Sequence, residues 1–200
     1  RRIVFDELCA NFLTISENRK RIKINKLPKK FTSKDSELIK KSLPFKLTND
    51  QEKVLNEVNR DLLSDKRMFR IIQGDVGSGK TIVSLLSILN VIKSGHQCAI
   101  MSPTEILAKQ HYTLVKKIFK NENFDVEFLT GKTEYKLKKS ILANLTSGKI
   151  KLLIGTHALF QKKINFKKLG LVVIDEQHKF GVKQRKNLSD KGGSNCDVLL

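Results

Sequence analysis

Only three of the 200 residues are cysteine, Cys9, Cys98 and Cys196, and they stand far apart with no C-x-x-C pair. A disulfide framework and a zinc ribbon are thereby excluded, and reduced thiols are expected. Proline is as sparse, at three, and glycine amounts to eleven, so there is neither a collagen repeat nor a low-complexity tail. Nothing approaches the roughly 20 consecutive apolar residues of a bilayer span, and no membrane partner is expected. The start, Arg1-Arg2-Ile3-Val4-Phe5-Asp6-Glu7, has neither the apolar core nor the small-residue cleavage site of a signal peptide. The expected setting is the cytoplasm and the expected state a monomer.

Acidic residues are also scarce, 20 against 39 lysines and arginines, for a net charge of +19. Such an excess attracts a polyanion at long range. It is spread along the chain rather than gathered in a basic tail, and it is mostly lysine in a sequence rich in Ile and Asn. An AT-rich genome produces the same bias, so charge alone does not single out nucleic acid. At 30% charged and 40% hydrophobic the composition is that of a soluble globular chain with one sizeable core and a small appendage.

Residues 1–46 read as a helical linker segment. Phe5, Leu8, Cys9, Phe12, Leu13 and Ile15 recur at helical spacing, a basic run follows over 19–30 with Pro28 breaking it, and 33–43 form a short second helix ended by Pro44. Thr48 has the chemistry of an N-cap, and Val54, Leu55, Val58, Leu62 and Leu63 trace one face of a third helix. From residue 47 to 200 the pattern changes to short apolar runs alternating with amphipathic helices. Strands are expected over 69–73, 97–102, 126–129, 150–154 and 170–174. Helices are expected over 80–93, 104–120 and 133–146, with a helical turn near 157–160. Successive βα units with right-handed crossovers make one α/β domain, a doubly wound and mostly parallel sheet. A further apolar run begins at Asp197-Val198-Leu199-Leu200.

Gly74-Asp75-Val76-Gly77-Ser78-Gly79-Lys80-Thr81 fills every fixed position of G-x-x-x-x-G-K-[ST]. The glycines let successive N–H groups turn inward around phosphates, and the following helix adds the positive end of its dipole. Lys80 then reaches the phosphate oxygens and Thr81 ligates Mg²⁺ through its hydroxyl. The apolar run Leu171-Val172-Val173-Ile174 delivers Asp175-Glu176 to the sheet edge. Asp175 is suited to hold Mg²⁺, directly or through water, and Glu176 to orient and deprotonate an attacking water. The two motifs together predict a nucleotide hydrolase using ATP and Mg²⁺.

Asp175-Glu176-Gln177-His178 has the D-E-x-H form of superfamily-two helicases and translocases. Together with S-P-T-E-I-L-A-K-Q-H from Ser102, L-T-G-K from Leu129, G-T-H-A-L-F-Q from Gly155 and K-F-G-V-K-Q-R from Lys179, it makes the chain resemble the RecG family of ATP-dependent DNA helicases. Phe5-Asp6-Glu7-Leu8 resembles that family's helical link into the motor. The resemblance implies a RecA-like P-loop domain, ATP and Mg²⁺ as cofactors, branched or duplex DNA as partner, and remodelling of stalled forks and Holliday junctions. It implies that Gln51 reads the adenine edge, that Thr104, Thr130 and Thr156 meet DNA phosphates with Pro103, Gly131 and His157 beside them, and that Gln177 and His178 couple the nucleotide state to that track, His178 ranking with Lys80, Asp175 and Glu176 as catalytic. For each threonine a helix N-cap is the alternative role, and His96 and His111 are given none. Lys179 stands where the family has arginine, which exchanges a planar fork for a point charge.

The resemblance further implies a second motor domain and a wedge domain that these residues do not contain, and a third motif that is absent. The chain is therefore expected to be a fragment that binds nucleotide weakly and hydrolyses it poorly alone. A transcription-repair coupling translocase shares most of these motifs, and a non-hydrolysing nucleotide- and DNA-binding module is the alternative from another class.

Overall fold

The computed structural model describes residues 24–32, 37, 40, 43, 45–75, 77–161, 163–176 and 191–200. The expected helix over 5–15, most of the one over 33–43, Val76, and the segment holding Gln177, His178 and Lys179 lie outside them.

The first long helix, α1 (Asn49–Leu63), starts at a capping box: the Thr48 hydroxyl accepts from Gln51 N, and the Gln51 side chain accepts from Thr48 N. Both are donors that a helix start would otherwise leave unpaired. Leu55, Val58 and Leu62 are buried, as their spacing requires, but Leu63 is 45% exposed. One residue advances about 100° around a helix, which turns Leu63 off the apolar stripe.

Six parallel strands follow: β1 (Phe69–Arg70), β2 (Gln97–Met101), β3 (Asp125–Leu129), β4 (Ile150–Gly155), β5 (Leu169–Ile174) and β6 (Asp197–Leu199). Their order is β1-β6-β5-β2-β4-β3. The helices between them are α2 (Lys80–Lys93), α3 (Glu105–Ile118) and α4 (Tyr135–Ser147), with a 3₁₀ turn at His157–Phe160. β1 is shorter than its apolar run because it lies at the sheet edge, with β6 as its one neighbour among the described residues. Ile72 N nonetheless continues the ladder to Leu200 O at 2.8 Å. α4 begins later than expected because Thr133 closes a turn, its hydroxyl accepting from Thr130 N at 3.0 Å.

The connections explain which face each helix covers. Going β1 to β2 and β2 to β3 moves the chain one way across the sheet, and β3 to β4 moves it back. Right-handed crossovers therefore place α2 and α3 on one face and α4 on the other. Two core clusters match this. Cys98, Ile100, Leu171 and Val173 pack with Val83, Leu86 and Val115, while Ala99, Met101, Val172 and Ile174 pack with Ile141 and Leu145. Alternate residues of the same strands face opposite clusters, the two-residue period of β structure. Cys98 and Cys196 are both free and buried. No described helix is long and apolar enough to cross a membrane.

The basic stretch before α1 is not simply a solvated linker. Residues 24–32 run along the domain: Asn25 bridges Lys66, Lys26 N donates to Asp65 O and Lys29 N to Leu62 O. The side chains of Lys26 and Lys29 are both fully buried and converge on Asp197, at 2.7 and 2.9 Å. Asp197 also accepts from Met68 N. Two lysines of the basic run are thus buried around a single carboxylate inside the fold.

Candidate functional site

In a parallel sheet covered on both faces, ligands sit at the carboxyl ends of the strands. Here that edge carries a cavity of about 420 Å³ lined by Gly74, Lys80, Thr81, His111, Asp175 and Glu176, with Ile72, Ile100 and Val173 as apolar walls. The phosphate loop and the acid pair, about a hundred residues apart in sequence, face one space.

The loop from Gly74 to Gly79 leads straight into α2. Gly77 and Gly79 have φ of 81° and 83°, a backbone that L side chains rarely adopt. A Cβ on Gly79 would also collide with the Gln51 amide. Gly79 caps α2 with no side-chain hydrogen bond and its carbonyl accepts from Ile82 N at 3.0 Å, so the start of the helix turns the positive end of its dipole toward an anion. The Lys80 ammonium donates to Gly74 O and Asp75 O, each at 2.7 Å, which centres its charge inside the loop. Gln51 is engaged at both ends of its amide: Oε1 accepts from Thr48 N at 3.0 Å, and Nε2 donates to Ser78 O at 2.9 Å. It ties the start of α1 to the phosphate loop.

Across the cavity Asp175 N donates to Met101 O, extending the β5–β2 ladder by one residue and fixing the carboxylate at the edge. The His111 imidazole lies 2.8 Å from Asp175 Oδ2. Its hydrogen bond holds the Asp175 carboxyl below the usual carboxylate range, against the upward pull of burial and with help from the Lys80 charge. Glu176 takes φ of 53°, the one non-glycine residue in the left-handed region among those described, where the chain turns sharply away from the strand. No group of three or more acidic, histidine or cysteine side chains able to hold a metal occurs among the described residues. One carboxylate and one threonine hydroxyl facing a phosphate loop are nevertheless the donors Mg²⁺ takes when phosphates and water supply the rest. The loop, the ammonium, Thr81 and Asp175 fit a magnesium nucleotide.

The threonines fall at the same edge, one strand apart. Thr104 caps α3, its hydroxyl accepting from Leu107 N at 3.3 Å, so the alternative role is the one its side chain fills. Thr130 follows β3 and its hydroxyl accepts from Lys132 N in a tight turn. Thr156 follows β4 and has no cap bond to the 3₁₀ turn behind it. Its hydroxyl and that of Ser102, at the end of β2, are buried and meet no hydrogen-bond partner. The two residues adjoin, since Ser102 N donates to Gly155 O at 3.0 Å. Pro103 and Gly131 sit in the turns after β2 and β3, and His157 is exposed at the start of the 3₁₀ turn.

The family model for DEAD/DEAH box helicases matches residues 48–196. The chain belongs to the DEAD/DEAH box helicase family. It is 47% identical over 195 residues to the ATP-dependent DNA helicase RecG of Aquifex aeolicus, and 44% identical over 202 residues to that of Bacillus subtilis, covering 96% and 100% of this chain. It spans only 24% and 30% of those two relatives. A solved structure of RecG bound to a three-way DNA junction superposes with a TM-score of 0.81 at 44% identity, covering 94% of this chain and 25% of that one. The DEAD-box helicase Mss116, bound to ssRNA and UDP-BeF, has a TM-score of 0.67 at 21% identity over 89% of this chain and 42% of that one. The RecA-like α/β fold implied by the motifs is the one this family member has.

Two residues that carry the site were passed over in the sequence. Ser102 read as the end of a strand, and His111 had no role. The signal for His111 was its position: Ala108 and Val115 are the buried residues of α3, and a histidine three after one and four before the other sits on that same inward stripe.

Proposed function

We propose that this chain is the first motor domain of a RecG-type ATP-dependent DNA helicase. In this reading the phosphate loop and Lys80 hold the triphosphate, and Thr81 and Asp175 hold Mg²⁺, which neutralises charge on the phosphates. Glu176 orients and deprotonates the attacking water. Gln51 reaches adenine by exchanging its present partners for the base edge, which offers the same pairing of donor and acceptor. Thr104, Thr130 and Thr156 contact DNA phosphates, positioning a strand without reading its sequence.

The observation that carries the proposal is the shared rim. One sheet edge presents a phosphate cradle opposite an ionised carboxylate and, one and two strands from that carboxylate, the buried hydroxyls of Ser102 and Thr156 with no protein partner. A buried hydroxyl left unsatisfied costs about 1–3 kcal/mol, a cost that a phosphate oxygen would remove. RecG names among the relatives favour this motor over a transcription-repair coupling translocase.

The test is DNA-stimulated ATP hydrolysis by the intact polypeptide. Lys80→Ala should lower turnover by about 100-fold or more. Thr156→Val, which removes an unpartnered hydroxyl at similar volume, should raise the melting temperature of the DNA-free protein while weakening DNA stimulation. Unchanged ATPase in Lys80→Ala would end the enzyme reading, and unchanged stimulation in Thr156→Val would end the phosphate track. These residues alone, without a second motor domain to bring arginines to the γ-phosphate, should turn over slowly.

A further inference from the structure

His111 is a histidine on an inward helix position, 13% exposed, whose Nε2 lies 2.8 Å from Asp175 Oδ2. An ionised carboxylate can only accept, so the imidazole proton must sit on Nε2. Asp175 therefore spends Oδ2 on His111 and its main-chain N–H on Met101 O, and its carboxylate also accepts from the Glu176 main chain. A carboxylate held at one oxygen by a side chain and at its backbone by the sheet has lost its rotamer freedom, and its other oxygen has one direction in which to point. That is how a ligating carboxylate is oriented by a residue behind it.

The placement of His111 adds a second property. It stands seven residues into the span that Thr104 caps, so two turns, about 10 Å of helix, separate it from the cap. Any displacement of α3 at its capped end is carried to the Asp175 carboxylate through one hydrogen bond.

We propose that His111 is a positioning residue: it orients Asp175 for the divalent cation and makes that orientation depend on the seating of helix α3. The first half stands on the Asp175 contact and the nucleotide site. The second rests on the proposed phosphate track, in which Thr104 touches DNA. By linkage, duplex DNA bound at the start of α3 must change cation affinity at Asp175, and the cation must change DNA affinity by the same factor.

The experiment uses Mn²⁺ as probe, titrated by electron paramagnetic resonance against the intact polypeptide with ADP, with and without duplex DNA, for the unaltered protein, His111→Ala and His111→Gln. ADP affinity without metal is measured alongside. His111→Ala should bind Mn²⁺ about 10-fold more weakly, at unchanged metal-free ADP affinity, and should lose the effect of DNA on Mn²⁺. His111→Gln, which keeps an N–H donor at similar reach, should recover part of both. A purely structural histidine would move metal-free ADP affinity and thermal stability instead and would not be rescued by glutamine. Mn²⁺ affinity in His111→Ala equal to that of the unaltered protein overturns the proposal, as does a DNA effect that survives the substitution. If the unaltered protein binds no DNA, it is the phosphate-track reading that fails, and the proposal's dependence on α3 falls with it, while the DNA-free titration still decides the orienting role.

Discussion

Asp197→Asn tests how the segment before α1 is attached to the sheet. The carboxylate accepts from Lys26 Nζ at both oxygens, 2.8 and 2.7 Å, from Lys29 Nζ at 2.9 Å, and from Met68 N at 2.6 Å. All three charged side chains have zero exposure. Asparagine keeps an oxygen for Met68 N but removes the charge, leaving two buried ammonium groups facing a neutral amide. Breaking a buried pair in this way costs about 3–5 kcal/mol, about a fifth or more of the roughly 5–15 kcal/mol that a domain has in all. Lys26 adds a pH signature. Burial holds its ammonium below the usual 10.5, so the folded state gives up that proton before the unfolded one does. Its contribution to stability therefore rises with pH in the window beneath 10.5, and more steeply once Asp197 is neutral. Urea unfolding of both proteins at pH 7 and pH 9.5 should show a large drop in midpoint, partly recovered at the higher pH, at constant m-value. Replacing all three groups, Lys26→Met with Lys29→Met and Asp197→Leu, should restore most of the loss. A change below about 1 kcal/mol in Asp197→Asn would refute the burial of these charges.

Two further expectations concern the sheet. His96 packs against Gly170, and burial, then the charges of Lys29 and Lys168, push its imidazole down from 6.5 to about 4. Because the folded state resists protonation, the stability this provides is complete above pH 6.5 and is lost as pH falls toward 4, on the order of 3 kcal/mol. His96→Gln should flatten the stability profile between those limits, and an unaltered slope would assign it to other groups. At the end of β4, a Cβ on Gly155 would run into the Leu129 carbonyl oxygen of the neighbouring strand, backbone that cannot step aside. Gly155→Ala should cost about 1–3 kcal/mol in a thermal melt, and a neutral result would mean that β3 and β4 are not paired this closely.

The features legible in the sequence are those whose chemistry is local. The phosphate loop needs its glycines, lysine and threonine within eight consecutive residues, and α2 begins at Lys80 as expected because Gly79 alone supplies the left-handed entry. Strand positions followed from apolar runs because burial on both faces leaves no polar alternation to confuse them. What could not be read were contacts that the fold creates across long separations. His111 and Asp175 are 64 residues apart, and Lys26 and Asp197 are 171 apart. A basic run looks solvated until the topology shows that β6 starts beneath it with a carboxylate. The same limit explains why the threonines stayed ambiguous. Capping and phosphate binding use the same hydroxyl, and Thr104 does cap its helix. Thr156 is different, because a hydroxyl 2% exposed with no partner performs neither task within the protein. In the proposed phosphate track, a phosphate oxygen at that rim would supply the missing partner.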